Sequence, residues 1–517
     1  MFVHLHCHSY YSFLRGASAP EALLEQAARL GLKQLALTDR EGLYGAVAFA
    51  RRAEAMGIRP IVGAELPLDG VGGVVALPRS AAGYAALCRA LTRFHLDPAF
   101  DPAAALEALA EDNWLLFAEP RGLAEALRRC RTPHLVAELV DHGRPADRAR
   151  NRALVELARR HGLPAAATNA VGFATPGDWD THRLLTAIRL RGTLGKLGPD
   201  DTAAPDAWLK PPAQMAALFR ECPEALAATE RIAESCEFRF PSGATLHPPF
   251  PLPAGESAFS LLWKRAFAGA ARRYRPLTPA VIARLERELE VIRQMGYAEY
   301  FLIVRDLVEF AETSGIPTVG RGSAAGSLTA YALGVTHVDP LALNLSFERF
   351  LNLHRTDPPD IDLDFCWRRR HEVIRYLYQK YGADNAAMLA TFVTLAGRGA
   401  LRESARAIGM PEREISRFTR PIPHHAAGHI DTVLREIPEC RNIPFHLEPY
   451  ATVIRLAKTI AGHPRHLGLH PCGIVLSRVP LHEVVPLQMT ASGFAATQFD
   501  MREAEDVGLL KIDILGQ

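Results

Sequence analysis

Cysteine is scarce, with eight residues in a chain of 517 (Cys7, Cys88, Cys130, Cys222, Cys236, Cys366, Cys440 and Cys472), and no two of them form a C-x-x-C pair. That excludes a zinc ribbon, a thioredoxin-type redox motif and a disulfide-dense secreted scaffold, and it fits a reducing, cytoplasmic compartment. A charge of one sign is also lacking. The 59 Lys and Arg nearly balance the 57 Asp and Glu, and a net charge of +2 gives no global field to draw in a polyanion. Any nucleic-acid binding must therefore come from local basic patches. No secretory signal is recognisable and no apolar run is long enough to span a bilayer, so no membrane partner is expected. What is present, 48% hydrophobic and 22% charged residues, belongs to a folded globular protein.

The length suggests about three domains. The opening "MFVHLHCHS" alternates like a strand, "PEALLEQAARLGLKQLALTD" reads as an amphipathic helix and a strand, and "YGAVAFARRAEAMGIRPIVGAEL" repeats that order. Repeated alternation predicts an α/β domain with a mainly parallel sheet or barrel within an α/β multidomain chain. The expected divisions are 1–175 for this domain, 176–285 for a helical linker region with proline-rich connectors, 286–367 for a glycine-rich and acidic segment, 368–457 for an arginine-rich helical segment, and 458–517 for a closing strand segment.

Residues 357–365, "DPPDIDLDF", place Asp360, Asp362 and Asp364 at every second position, with Ile361, Leu363 and Phe365 between them. On a strand the carboxylates share one face. Like charges side by side destabilise a strand unless something neutralises them, and divalent cations do so most directly. Mg²⁺ suits one or two carboxylates plus waters and phosphates, and two ions about 4 Å apart clamp both oxygens of an in-line phosphoryl displacement. A solvated acidic edge strand is the plain alternative.

Upstream, "VGRGSAAGSLTAY" sets Gly320, Gly322, Ser323 and Gly326 between a short strand and an apolar helix, where small residues and a helix N-terminus suit a phosphate. It lacks the Gly-Lys-Ser/Thr of a Walker loop, and it also fits the loose fingerprint G-x-G-x-x-A with Asp339 placed to meet a ribose. At the other end of the chain, His4, His6 and His8 alternate on the expected strand, and imidazoles two residues apart commonly ligate zinc or manganese. Arginines cluster in "WRRRHEVIRYLYQKYG" and "GRGALRESARAIGMPEREISRFTR" at helical spacing, which suits either a duplex backbone or a solvated helix face.

Taken in order, "GRGSAAGSLTAYALGVTHVDPL", "FERFLN", "PPDIDLDF" and "KIDILG" resemble the bacterial C-family DNA polymerases, the alpha subunit of DNA polymerase III and its error-prone relatives. "TDREGLYGAVAFA" is more similar to the error-prone branch. The resemblance implies a polymerase-and-histidinol-phosphatase (PHP) type α/β barrel, then a polymerase-beta-like nucleotidyltransferase palm at 286–367 and 458–517, interrupted by a helical thumb at 368–457. It implies that Asp362, Asp364 and Asp513 are catalytic and hold two Mg²⁺ ions, and that Gly322, Ser323, Lys511 and Arg349 contact the triphosphate of a deoxynucleotide. Arg398, Arg402 and Arg465 are implied contacts for primer-template DNA.

In the amino-terminal domain the resemblance brings Glu65, in "GAEL", to the histidines, but the family's T-D-H reads "TDR" at Arg40, and its late D-x-H is replaced by Ala170 and Gly172. Three missing ligands and an added cation should remove most affinity for a metal cluster, leaving His6, His8, Glu65 and His142 as the candidates for a residual ion and little or no exonuclease activity. Members of this family continue beyond the segment that matches Asp513, so a second polypeptide supplying fingers and later domains, and a sliding clamp reached through it, are expected partners. The competing readings are a PHP-type metal phosphoesterase and a non-catalytic partner in a split polymerase.

Overall fold

The structure is a computed structural model that describes residues 2–68, 72–241, 246–354, 359–422, 444–490 and 493–517, together with 432, 436 and 438. Cys440 and most of 423–443, inside the expected thumb segment, lie outside the described residues. The chain forms two compact units, one of residues 1–240, 391–468 and 485–488, the other of 241–390, 469–484 and 489–517. This grouping cuts across the divisions expected from the sequence, because the region 176–285 divides after Phe240 and most of 368–457 joins the first unit. Apolar burial is the reason: Leu401 and Ala405 of helix Gly397–Ala407 and Val453 and Ile460 of helix Tyr450–Ile460 share a core with Leu184, Leu185 and Ala187 of helix Trp179–Arg189. Among the described residues no helix is long and apolar enough to cross a membrane.

The first unit is built on a six-stranded sheet in sequence order: β1 (Gln34–Arg40), β2 (Arg59–Leu68), β3 (Gly72–Pro78), β4 (Asn113–Phe117), β5 (Leu135–Val140) and β6 (Ala165–Thr168). The neighbours β1–β2, β4–β5 and β5–β6 are parallel, as the alternating pattern predicts. By contrast β2–β3 and β3–β4 are antiparallel. Too few residues separate Leu68 from Gly72 for the crossover of roughly a dozen that a parallel pair needs. The opening segment is not a continuous strand; it makes parallel bridges at His4↔Leu35 and Cys7↔Val171. Ala36 N–H donates to the His4 carbonyl and Val171 N–H to that of His6, so the segment joins β1 to the chain after β6 and the sheet curls round it. Val3, Leu5 and Cys7, which alternate with the histidines, are buried.

The second unit holds the greater part of a seven-stranded sheet of β7 (Thr318–Arg321), β8 (Asp362–Phe365), β9 (Ala386–Thr394), β10 (Pro464–Leu476), β11 (Leu487–Met489), β12 (Ala495–Thr497) and β13 (Leu510–Gly516), in the order β11-β12-β9-β10-β13-β8-β7. The short β8 lies between antiparallel β7 and parallel β13. Its apolar residues do what the period-two pattern predicts: Ile361, Leu363 and Phe365 are buried with Ile512 and Ile514 of β13 and with Phe301 and Leu302 of helix Ala298–Thr313. Each such side chain stabilises the unit by about 1.5–3 kcal/mol relative to exposure, and together they fix which face of β8 is left for the aspartates. The buried Tyr300 hydroxyl accepts from Ile361 N–H at 2.9 Å and anchors the approach to the strand.

Candidate active site

Register brings the acidic residues of the second unit together. Asp513 on β13 is the parallel Cα partner of Asp362 on β8, and neighbouring residues in register project to the same side of a sheet. Oxygens of Asp360, Asp362 and Asp513 lie within 4.8 Å of one another, a three-carboxylate group suited to a hard cation. Asp364, one pleat further along, is almost fully buried. Two cations border the group. Lys511 Nζ donates to Asp513 Oδ2 at 2.9 Å and to Asp360 Oδ1 at 3.2 Å. Arg321 Nε lies 3.2 Å from Asp364 Oδ2 and its Nη1 3.8 Å from Asp362 Oδ2. Among the described residues, four carboxylates against two cations leave negative charge unbalanced, and Asp364 Oδ1 and Asp513 Oδ1 are buried without a hydrogen-bond partner.

The electrostatics carry the same message. Burial, followed by the charge of neighbouring Asp360, raises Asp362 above the ordinary carboxylate range against the pull of Arg321. For Lys511 burial disfavours the ammonium, but the hydrogen bond and charge of Asp513 outweigh it and push the group up to about 12. An added cation would offset the like charge that raises Asp362. Asp360 and Arg321 were not singled out as site residues from the sequence. Asp360 is exposed and precedes the strand; its signal was its place in the same period-two series.

The glycine turn lies against this group. Gly322 has φ +74°, and a Cβ there would lie 3.3 Å from Asp362 Oδ2, so both backbone and space favour glycine. Ser323 beside it is exposed. The helix that follows, Leu328–Ala332, does not offer the free N-terminus expected for a phosphate, because the buried Glu288 carboxylate accepts from Leu328 N–H, Thr329 N–H and Ser327 Oγ. Nor is Asp339 free for a ribose; Oδ1 accepts from the Tyr274 hydroxyl at 2.6 Å and from Leu341 N–H. Arg349 is exposed, and no hydrogen bond or ion pair among the described residues links it to the aspartates.

On β10, His470 and Cys472 face Asp513 from the other side, and one donor atom of each of the three lies within 4.8 Å of the others. Burial, then the Asp513 charge, pushes the Cys472 thiol up to about 12, while burial lowers His470.

In the first unit His6, His8 and Glu65 also lie within 4.8 Å of one another. The group is internally satisfied. His6 Nδ1 bonds Glu138 Oε1 at 2.7 Å, His8 Nε2 lies 3.3 Å from Glu65 Oε2, and Arg40 Nη1 donates to both Glu65 oxygens at 3.1 and 3.2 Å. Burial opposes the charges on His6 and Glu138, yet their mutual attraction raises the one and lowers the other. Two of the sequence expectations do not hold. His142 is not in the group, because its Nε2 bonds the Asn169 carbonyl at 3.0 Å. His4 also turns away; its Nε2 bonds the Lys210 carbonyl, and burial lowers it to about 4. Glu138 was missed, and its signal was a lone carboxylate inside the apolar strand "LVAELV", every residue of which is buried.

Of the expected DNA contacts, Arg402 donates to Thr419 Oγ1 and pairs with Glu412, and Arg465 Nη2 lies 3.1 Å from Glu403 Oε1. Arg398 is half-buried near the start of helix Gly397–Ala407.

Comparison with known proteins assigns a family to each of the two regions. The family described as "Bacterial DNA polymerase III alpha NTPase domain" matches residues 260–516, which contain every aspartate of the second site, and the PHP domain family matches 4–166, which contain the histidine group. A protein named error-prone DNA polymerase from Symbiobacterium thermophilum is 41% identical, with 99% of this chain and 51% of that protein covered. Another of that name from Mycobacterium bovis is 38% identical over all of this chain and 49% of its own length. The DNA polymerase III subunit alpha of Bacillus subtilis is 36% identical over all of this chain and 48% of its own length. The chain thus spans about half the length of the curated relatives it matches. With two family models in sequence and these relatives along its whole length, the chain belongs to the bacterial DNA polymerase III alpha family, on the error-prone branch.

Proposed function

We propose that this chain carries the catalytic palm of an error-prone DNA polymerase, in which a primer 3′ hydroxyl attacks the α-phosphorus of a deoxynucleoside triphosphate and pyrophosphate leaves. The observation that carries this reading is the register of Asp513 with Asp362, which gathers an oxygen-only donor set beside an exposed glycine turn. Two Mg²⁺ ions would be held by Asp362, Asp364 and Asp513, with Asp360 at the rim. Bound there, they would supply charge stabilisation for the attacking and leaving oxygens. The unpartnered oxygens of Asp364 and Asp513 support the fit. Lys511, held fully charged, keeps Asp513 oriented and offers its ammonium to phosphate oxygens. Arg321, about half exposed, leaves the aspartates to meet the triphosphate near Gly322 and Ser323. Arg402 and Arg465 reach DNA only by exchanging Glu412 and Glu403 for backbone phosphates, so their contribution is strongly salt-dependent.

Substrates on this reading are primer-template DNA and deoxynucleoside triphosphates, and full activity depends on the sequence that fills the other half of the relatives' length. In the first unit Arg40 takes a ligand's place, which argues for support rather than hydrolysis. The test is templated extension by the purified chain together with a polypeptide supplying that other half. Extension lost in Asp513→Asn supports the assignment. Extension that survives the change shows that the chemistry lies elsewhere.

A further inference from the structure

We propose that His470, Cys472 and Asp513 form a second metal site, selective for a thiophilic divalent cation such as Zn²⁺, Cd²⁺ or Co²⁺. His470 and Cys472 stand two residues apart on β10, and Asp513, whose antiparallel partner is the adjacent Gly473, has a carboxylate oxygen within 4.8 Å of a donor atom of each. The Cys472 Sγ to His470 Nδ1 distance is 3.6 Å. Tetrahedral coordination, with Zn–S about 2.3 Å and Zn–N about 2.0 Å, sets sulfur and nitrogen about 3.5 Å apart, so the two atoms already span one edge of such a site.

Gly473 sets the ring in place. Its N–H donates to His470 Nδ1 at 2.8 Å, which leaves that nitrogen without a proton, and a Cβ at Gly473 would sit only 2.8 Å from the same atom. The third donor is waiting as well: Asp513 is 6% exposed, and its Oδ1 is buried with no hydrogen-bond partner among the described residues. On binding, the ion takes the Nδ1 lone pair from the Gly473 amide, and the Cys472 thiol gives its proton to solvent. Three protein donors leave a fourth position open to water. A sulfur, nitrogen and oxygen set favours zinc-like ions over Mg²⁺, whereas the Asp360, Asp362 and Asp513 set has the opposite preference. Asp513 belongs to both. If the polymerase reading above holds, a thiophilic ion on β10 withdraws a carboxylate from the catalytic group and inhibits extension.

The probe is Co²⁺ added to the reduced, purified chain, read by the thiolate-to-cobalt charge-transfer band in the near ultraviolet. We expect one equivalent to produce the band, Cys472→Ser to abolish it, and His470→Ala to weaken binding by about tenfold or more. Cys222→Ser and Cys366→Ser, at the two half-exposed thiols among the described residues, should leave it intact. Asp362→Asn should keep the band while abolishing extension, so a failed site and a failed polymerase reading give different results. No band in the wild-type chain, or a band undiminished in Cys472→Ser, overturns the proposal. If Cys472→Ser does not fold, unchanged Co²⁺ affinity in His470→Ala overturns it alone.

Discussion

The histidine group of the first unit and the aspartate group of the second both gather possible metal ligands, and their electrostatics are opposite. In the first unit an arginine has entered the donor set itself: Arg40 donates to both oxygens of Glu65, and His6 is paired with Glu138. In the second unit the cations stand at the edge, and two buried carboxylate oxygens have no partner among the described residues. One group is neutralised by the protein, and the other is left for something else to neutralise. Ligand residues alone therefore do not define a metal site; the balance of charge and hydrogen bonds around them decides whether a cation is needed.

The largest effect expected from this contrast is on chemistry. Asp362→Asn or Asp513→Asn should lower nucleotide incorporation on the order of 10³-fold or more, the scale of losing a preorganised charge contact, with unchanged circular dichroism. His6→Ala should leave incorporation within a few fold, on the order of 1 kcal/mol at most.

Next is the reverse experiment in the first unit. Arg40→His, Ala170→Asp and Gly172→His together should convert a chain with little Mn²⁺ affinity at that site into one that binds it measurably by calorimetry. The backbone permits the changes. Ala170 has φ +38°, a region that Asp tolerates better than most residues, and a Cβ at Gly172 meets only the Ala203 methyl at 3.8 Å. Failure of the triple change to add metal would show that more than the missing ligands separates the two groups.

Much of this arrangement was legible beforehand. Period-two alternation places the aspartates of β8 on one face, and the arginine at position 40 does meet the Glu65 carboxylate. Where sequence reasoning stopped short, the cause was distance along the chain. Glu138 reaches His6 across 132 positions, and Glu288 caps the helix after the glycine turn across about 40. The β2–β3–β4 reversal and the assignment of 391–468 to the first unit depend on which apolar faces meet, which local periodicity does not encode.

Histidine protonation offers a third contrast of moderate size. Against the effect of burial, the charge of Glu138 raises His6, whereas burial, then the Arg478 charge, lowers His247 in the second unit to about 4. Because the unfolded chain binds a proton near pH 6.5 that the folded His247 refuses, the stabilisation is full above 6.5 and is lost as pH falls toward 4. The loss is up to about 3 kcal/mol for that one group. Urea unfolding across that range should show a weaker pH dependence in His247→Phe.

The smallest expected effect is at Arg321. Its guanidinium is about half exposed although Asp364 is buried, and solvent screening on the arginine side holds the pair to about 1 kcal/mol, so Arg321→Gln should tighten Mg²⁺ binding by no more than about fivefold, while raising the KM for nucleotide if the guanidinium meets the triphosphate.

The most direct measurement is Mn²⁺ binding to the purified chain by electron paramagnetic resonance, comparing wild type with Asp362→Asn, Asp513→Asn and His6→Ala. If the carboxylates of the second unit hold the cations, either aspartate change removes most of the bound Mn²⁺ and His6→Ala leaves it unaltered. Bound Mn²⁺ that survives both aspartate changes and disappears with His6→Ala would contradict the assignment.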